Sequence, residues 1–184
     1  VMDKNDDNQI QLVVLKGEQG HQDAEIRTDV VLAELENLGY DLEILSIEVC
    51  NWQEQIAFDS MTDLIKNLDQ TIEIVISNND AMAIGAIKAL IENDLFEDVN
   101  QNGVIEHDTE IWVPVIGIDG ISDAIPYIDN GYLFGTVIND NDAMSEALIE
   151  LIEAVQSNDF SNLSYEIEDD HYIWIDYQKY EKEE

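Results

Sequence analysis

Between Asp3 and Gln11 the side chains of Asp3, Asn5, Asp7, Gln9 and Gln11 put an oxygen-bearing group at every second position. A hard cation such as calcium needs about six to eight oxygens around it, and alternate side chains of a tight loop can converge in that way. The loop has no Glu where an EF-hand loop carries its bidentate ligand, so that ligand must come from elsewhere. Asn8 stands where such a loop has Gly, and Asn tolerates the left-handed backbone needed there. The competing reading is a solvated acidic turn.

A second constellation follows at once. His21, Asp23 and Arg27 lie at a Gly-bounded strand–turn–helix junction, and Arg27 is the single arginine of the chain. Vicinal hydroxyls of a neutral sugar need paired acceptors and donors, with an aromatic face against the C–H surface. Asp and Arg meet the first need and Trp52 the second. The alternative is a capping Asp23 paired with Arg27 one turn on. A third run, Asp98, Asn100, Asn102, Gly103, Ile105 and Glu106, is half an EF-hand loop, with Glu110 just past it. It reads as a polar surface loop, with a second calcium site as the rival. Catalytic signatures are missing: no GxSxG, P-loop or GxGxxG occurs, and Cys50 has no nearby His.

Alternating elements must position these residues. Apolar strands are expected at Ile10 to Leu15, Leu42 to Val49, Ile72 to Ser77, Trp112 to Ile118, Leu133 to Ile138 and Tyr172 to Ile175. Helical spacing covers Asp23 to Leu38, with Ile26, Val30, Val31, Leu35 and Leu38 inward. It also covers Gln53 to Leu68, with Ile56, Met61, Leu64, Ile65 and Leu68 inward, then Asp80 to Glu92, Ile121 to Asp129 and Asp142 to Gln156. Trp112 and Trp174 fall in strands and are assigned to the core. Such alternation predicts an α/β fold, an open parallel sheet with helices on both faces. Ligands of such sheets sit at the carboxyl ends of the strands. Those ends carry His21, Asn51 and Trp52, Asn78 to Asp80, Asp119, and Asn139 with Asp140. Singly, Asn79, Asp80 and Asp119 read as helix caps; jointly they read as one crevice.

The 184 residues, 45% hydrophobic, suffice for one large or two small domains with a core. The net charge of -35, from 42 acidic and 7 basic residues, repels phosphate backbones and anionic lipid. Nucleic acid is therefore excluded as a partner, as is direct membrane insertion, because no apolar run approaches a span. One cysteine permits no intrachain disulfide. The acidic loop opens at Asp3, which leads to the expectation that the chain is cut from a longer one.

Four motifs, VVLKGEQGHQDAEIR, EIVISNNDAMAIGAIKAL, PVIGIDG and GTVINDN, resemble in that order the carboxyl-terminal half of periplasmic glucose/galactose-binding proteins. These are sugar receptors of ABC transport and chemotaxis. The resemblance implies two Rossmann-like lobes joined by three crossings and closing on one sugar. It implies that His21, Asp23, Arg27, Asn79, Asp119 and Asn139 bond sugar hydroxyls and that Trp52 stacks on the ring. It also implies calcium held by Asp3, Asn5, Asp7, the Gln9 carbonyl, Gln11 and a remote bidentate Glu73. Residues 1–139 would be the carboxyl-terminal lobe without its first strand and helix. Residues 140–170 would pack on an absent amino-terminal lobe that carries an Asp, an aromatic and an Asn of the site. Residues 171–184 would be the last strand and an acidic tail.

The expected function is non-enzymatic binding of D-glucose or D-galactose for an ABC transporter's membrane subunits, with a chemoreceptor as a further partner. The expected place is the periplasm or cell surface, where a lipoprotein anchor could precede the chain. The alternatives are a calcium-binding interaction module without sugar affinity and the sensing core of a lactose-repressor-type regulator. The acidic charge and the lack of a helix-turn-helix oppose the latter.

Overall fold

Ile10–Lys16 forms β1, and all seven of its residues are buried. A strand shielded on both faces must sit inside a parallel sheet, between helices. The computed structural model, which describes residues 3–169 and 171–182, shows that arrangement. The outer bounds of the expected units, at residues 1, 170 and 184, lie outside the described residues.

From β1 the chain runs through α1 (Gln22–Asn37), β2 (Leu42–Val49), α2 (Glu54–Asn67), β3 (Ile74–Ser77) and α3 (Asp80–Glu92). It continues through β4 (Val115–Asp119), α4 (Ile125–Asp129), β5 (Gly135–Ile138), α5 (Asn141–Ser157) and β6 (Gln178–Glu181). The strands form one sheet in the order β2-β1-β3-β4-β5-β6. The first four pairings are parallel, and β6 adds to β5 antiparallel, Gly135 opposite Glu181. The α/β class and helices on both faces are as expected from the sequence.

Alternation along β1 sorts the two cores. Val13 and Leu15 face α2 and α3 with Met61, Met82, Ile87 and Leu90. Leu12 and Val14 face the other way with Ile74, Ile76 and, from α1, Val31, Leu32 and Leu35. α3 is apolar on nearly its whole circumference and is buried accordingly.

Several expectations need correction. In α1 the inward side is Ala24, Thr28, Val31, Leu32 and Leu35, while Ile26, Val30 and Leu38 are exposed. Ala24 and Thr28 are the buried residues of this helix, so its inward face centres on them. Pairing along β4 begins at Val115 rather than Trp112, since Pro114 has no N–H to give a ladder. α4 starts at Ile125, with Pro126 in its first turn, and the preceding residues only turn.

The largest correction concerns the last strand. Tyr172 to Ile175 joins no sheet; the polar segment Gln178–Glu181 does. An edge pairing is made of backbone bonds and needs no apolar side chains, so hydrophobic alternation misplaced it. Ile173 and Ile175 instead line a groove with Met144, Leu148 and Leu151 of α5. Trp174, on the opposite side of that extended segment, is 67% exposed and stacks on Tyr172. Trp112 does pack against the core, stacked on His107 at a 3.7 Å centroid distance.

Trp174→Ala should therefore cost under about 1 kcal/mol of folding stability. Truncating the fully buried Leu12 to Ala should cost about 2–5 kcal/mol. Chemical denaturation of the two variants checks this; a Trp174 loss equal to that of Leu12 would put the tryptophan back in a core.

Candidate functional site at the strand tips

Because β1 to β5 run parallel, their carboxyl ends meet along one edge of the sheet. β1 ends at Lys16, whose ammonium pairs with Glu25 of α1 at 2.7 Å. Glu25 also accepts from the Gly20 N–H at 2.7 Å, which draws the 17–21 turn onto the helix. The Lys16 bond holds the Glu25 carboxyl below its usual range, assisted by the Gly20 amide. His21 ends this turn as the N-cap of α1, its Nδ1 accepting from the Asp23 N–H at 3.2 Å.

Trp52 comes from the tip of β2, where Asn51 and Trp52 take φ of 51° and 65°. Positive φ is uncommon for so bulky a residue. It turns the indole back over β1, where a Cβ on Gly17 would lie 2.3 Å from the ring. Only glycine fits beneath it. His21 meets the indole edge-on at 5.3 Å, and the Arg27 guanidinium lies 5.9 Å from the ring centroid.

Arg27 connects the strands. Its Nη1 donates to the Asn78 carbonyl at 2.8 Å and to Asp119 Oδ1 at 3.2 Å. Asn139 Nδ2 donates to the same Asp119 oxygen at 2.9 Å. Asn79 caps α3 through the Met82 N–H at 3.0 Å and donates to the Trp52 carbonyl at 3.4 Å. His21, Arg27, Trp52, Asn79, Asp119 and Asn139 thus share one neighbourhood. Asp23 is exposed and close enough for its charge to act on Asp119. Arg27 pairs with Asp119 and not with Asp23, so the cap-and-pair alternative fails.

Asp119 is held at a φ of 121°, which costs a non-glycine residue about 1–3 kcal/mol. Burial pushes its carboxyl above the usual range, against the pull of Arg27, and the Asp23 charge pushes the same way.

Sequence reading missed Asn78 as a tie. It is buried, its Oδ1 accepts from the Gly17 N–H at 3.1 Å, and its amide donates to the Thr28 hydroxyl at 3.2 Å. The one available signal was its place between a strand end and a cap.

At the opposite end of β1 the acidic loop closes as its spacing suggests. Asp3 accepts from the Asp7 and Asn8 N–H groups, and Asp7 from the Gln9 N–H at 2.8 Å. Asn8 has φ 65°, the left-handed backbone expected of it. Asp7 Oδ2 accepts from Asn5 at 2.9 Å and from Gln11 at 2.8 Å. Glu73 is fully buried beneath the loop, accepting from the Lys4 N–H and from the Gln11 N–H at 3.1 Å. Carboxylates and amides of this kind suit a hard cation. Among the described residues no three carboxylate, imidazole or thiol groups gather closely enough to hold a metal, so amide and carbonyl oxygens would have to complete any such site.

In the Asp98 loop, Asp98 accepts from Asn102 and Gly103 N–H groups at 3.1 and 2.7 Å. Glu110 folds back to accept from Val99 and Glu106 N–H groups at 2.8 and 2.9 Å. Both carboxylates are occupied by their own loop, as in a self-closed polar turn.

A carboxyl whose pKa is raised by folding binds more protons in the folded state. Its stabilising contribution is present at low pH and is lost as pH rises through the raised value. Asp119→Asn removes that titration. Relative to the variant, the wild type should lose thermal stability as pH rises from about 4 through the raised value, and the gap should then level off. Melts of both proteins over this range test it; a wild type that gains stability relative to the variant as pH rises would reverse the sign.

Residues 1–159 match the periplasmic binding protein domain. Over 151 residues, 82% of this chain, the sequence is 36% identical to the D-galactose/methyl-galactoside binding periplasmic protein MglB of Haemophilus influenzae, covering 41% of it. An ABC transporter periplasmic solute binding protein from Actinobacillus succinogenes, solved with bound D-allose, superposes with a TM-score of 0.75 at 23% identity. That match covers 95% of this chain and 52% of the other. A solute binding protein from Bacillus halodurans with bound myo-inositol gives a TM-score of 0.58 at 26% identity, over 72% of this chain and 41% of its own. The chain spans about half the length, or less, of these relatives. No helix among the described residues is long and apolar enough to cross a membrane. With a domain match over most of its length and a parallel sheet that gathers its polar tips on one edge, this chain belongs to the periplasmic binding protein family.

Proposed function

We propose that the chain binds a hexose, D-glucose or D-galactose, at the strand tips, as part of the substrate-binding component of a sugar ABC transporter. The supporting observation is the Arg27–Asp119–Asn139 cluster beside the Trp52 ring. It joins paired donors and acceptors to an aromatic surface, the combination that a neutral polyol requires. His21, Asp23 and Asn79 add polar groups around it. The relatives named for galactoside binding and solved with myo-inositol both take polyhydroxylated ligands. Transporter membrane subunits, and a chemoreceptor, are the partners this reading implies, and the periplasm is its setting.

The reading includes a structural calcium ion held by Asp3, Asn5, Asp7, the Gln9 carbonyl, Gln11 and Glu73. The buried Glu73 carboxylate supports it, since the two bonds it receives are from backbone N–H groups of this loop and strand. Calcium would tie the loop to the start of β3.

In this reading residues 1–139 form a carboxyl-terminal lobe, and α5 with the segment to residue 170 meets another body. The apolar residues Met144, Leu148, Ile149, Ile152 and Val155 that α5 leaves exposed support that division.

Titration with galactose and with glucose tests the sugar site. Trp52→Ala should weaken binding about tenfold or more, the loss of roughly 1.4 kcal/mol. Unchanged affinity would remove Trp52 from the site, and heat from calcium but from neither sugar would favour a calcium-binding module. Calcium at a hundredfold excess over Kd should add about 2.7 kcal/mol to stability. Thermal melts should show this rise in the wild type and lose most of it in Glu73→Ala; an equal rise in both would exclude Glu73 as a ligand.

A further inference from the structure

Asp80 is a fully buried carboxylate at the first position of α3. A carboxylate there ordinarily serves the helix end, but Asn79 already caps it. Asp80 reaches across the sheet instead. Its Oδ1 accepts from the Thr136 hydroxyl at 2.6 Å. Its Oδ2 accepts from the Gly120 N–H at 2.7 Å and the Ile121 N–H at 3.0 Å. One side chain from the tip of β3 thereby clasps the tip of β4 and the body of β5.

The room for this clasp is specific. A Cβ on Gly117 would lie 2.1 Å from Asp80 Oδ1, so β4 admits the carboxylate only because that position is glycine. The clasped turn is the one that carries Asp119 at its φ of 121°. Such a conformation persists only where its surroundings over-determine it. Asp119 in turn receives Arg27 and Asn139. Burial pushes the Asp80 carboxyl upward, and its three donors draw it back down.

We propose that Asp80 is a positioning residue, whose carboxylate holds the 119–121 turn so that Asp119 is presented to Arg27 and Asn139, and that it thereby sets the affinity of the site. The affinity part rests on the sugar-binding reading above; the geometric part does not.

Two readouts separate them. Arg27 is the only arginine, so its guanidinium Nε–H gives one unambiguous signal in a nitrogen-15 spectrum of the ligand-free chain. That signal and the Gly120 and Ile121 amides report the clasp directly. In Asp80→Ala all three should move, and affinity for galactose or glucose should fall about tenfold or more. In Asp80→Asn the side-chain oxygen can still accept from the two amides while its NH2 donates to Thr136 Oγ1. That variant should keep affinity within about threefold of the wild type. In an Asp119→Ala background, adding Asp80→Ala should change affinity less than about twofold, because what Asp80 positions is gone. A full, additive loss in that background, or unmoved Arg27, Gly120 and Ile121 signals in Asp80→Ala, would overturn the proposal. Should Asp80→Ala fail to fold, Thr136→Val removes one of the clasp's donors and must shift the same signals. If the wild type binds neither sugar, the sugar-binding reading and the affinity clause fail together, and the three signals alone decide the positioning.

Discussion

The ladder that β1 makes with β2 on one side and β3 on the other governs what the rest of the molecule can do. Parallel strands must return by crossovers, which places helices on both faces and sends every strand end toward the same edge. With β1 buried along its full length, slipping its register by one residue would turn Leu12 and Val13 each to the other core. The polar residues at the strand ends inherit that precision. Arg27, Trp52, Asn79, Asp119 and Asn139 lie far apart in the chain and meet only because the ladder aligns their strands.

A second constraint is the shortage of cations. With 42 acids and 7 basic residues, Lys and Arg are scarce partners for carboxylates such as the buried Glu73, Asp80 and Glu110. The structure satisfies them with backbone N–H donors. Glu73 takes Lys4 and Gln11, Asp80 takes Gly120 and Ile121, and Glu110 takes Val99 and Glu106. Charge-assisted bonds of this kind are among the stronger ones available and tie loops to strands. The single arginine remains for the strand-tip cluster, where it joins α1, the tip of β3 and the tip of β4. The excess negative charge stays on the surface, where water and salt screen it.

The amino-acid sequence by itself determined the class of the fold, the order of its elements as far as α5 to within a few residues, and the location of its polar strand ends. Those properties arise from periodicity and turn chemistry among near neighbours, which a linear reading can follow. At Asn8 the sequence pointed to the left-handed backbone that the loop adopts. The order of four motifs indicated the family. Only the tertiary structure decided which alternating face turns inward and which distant group answers each polar side chain. It rotated α1 onto Ala24 and Thr28, left Trp174 in solvent beside Tyr172, and gave the sheet edge to Gln178–Glu181. It paired Arg27 with Asp119 across 92 positions and sent Asp80 to Thr136 across 56. Such choices depend on the register of strands and on the space left at residues like Gly17 and Gly117. That space exists only once the chain is packed, because a contact between distant segments has no local pattern to announce it.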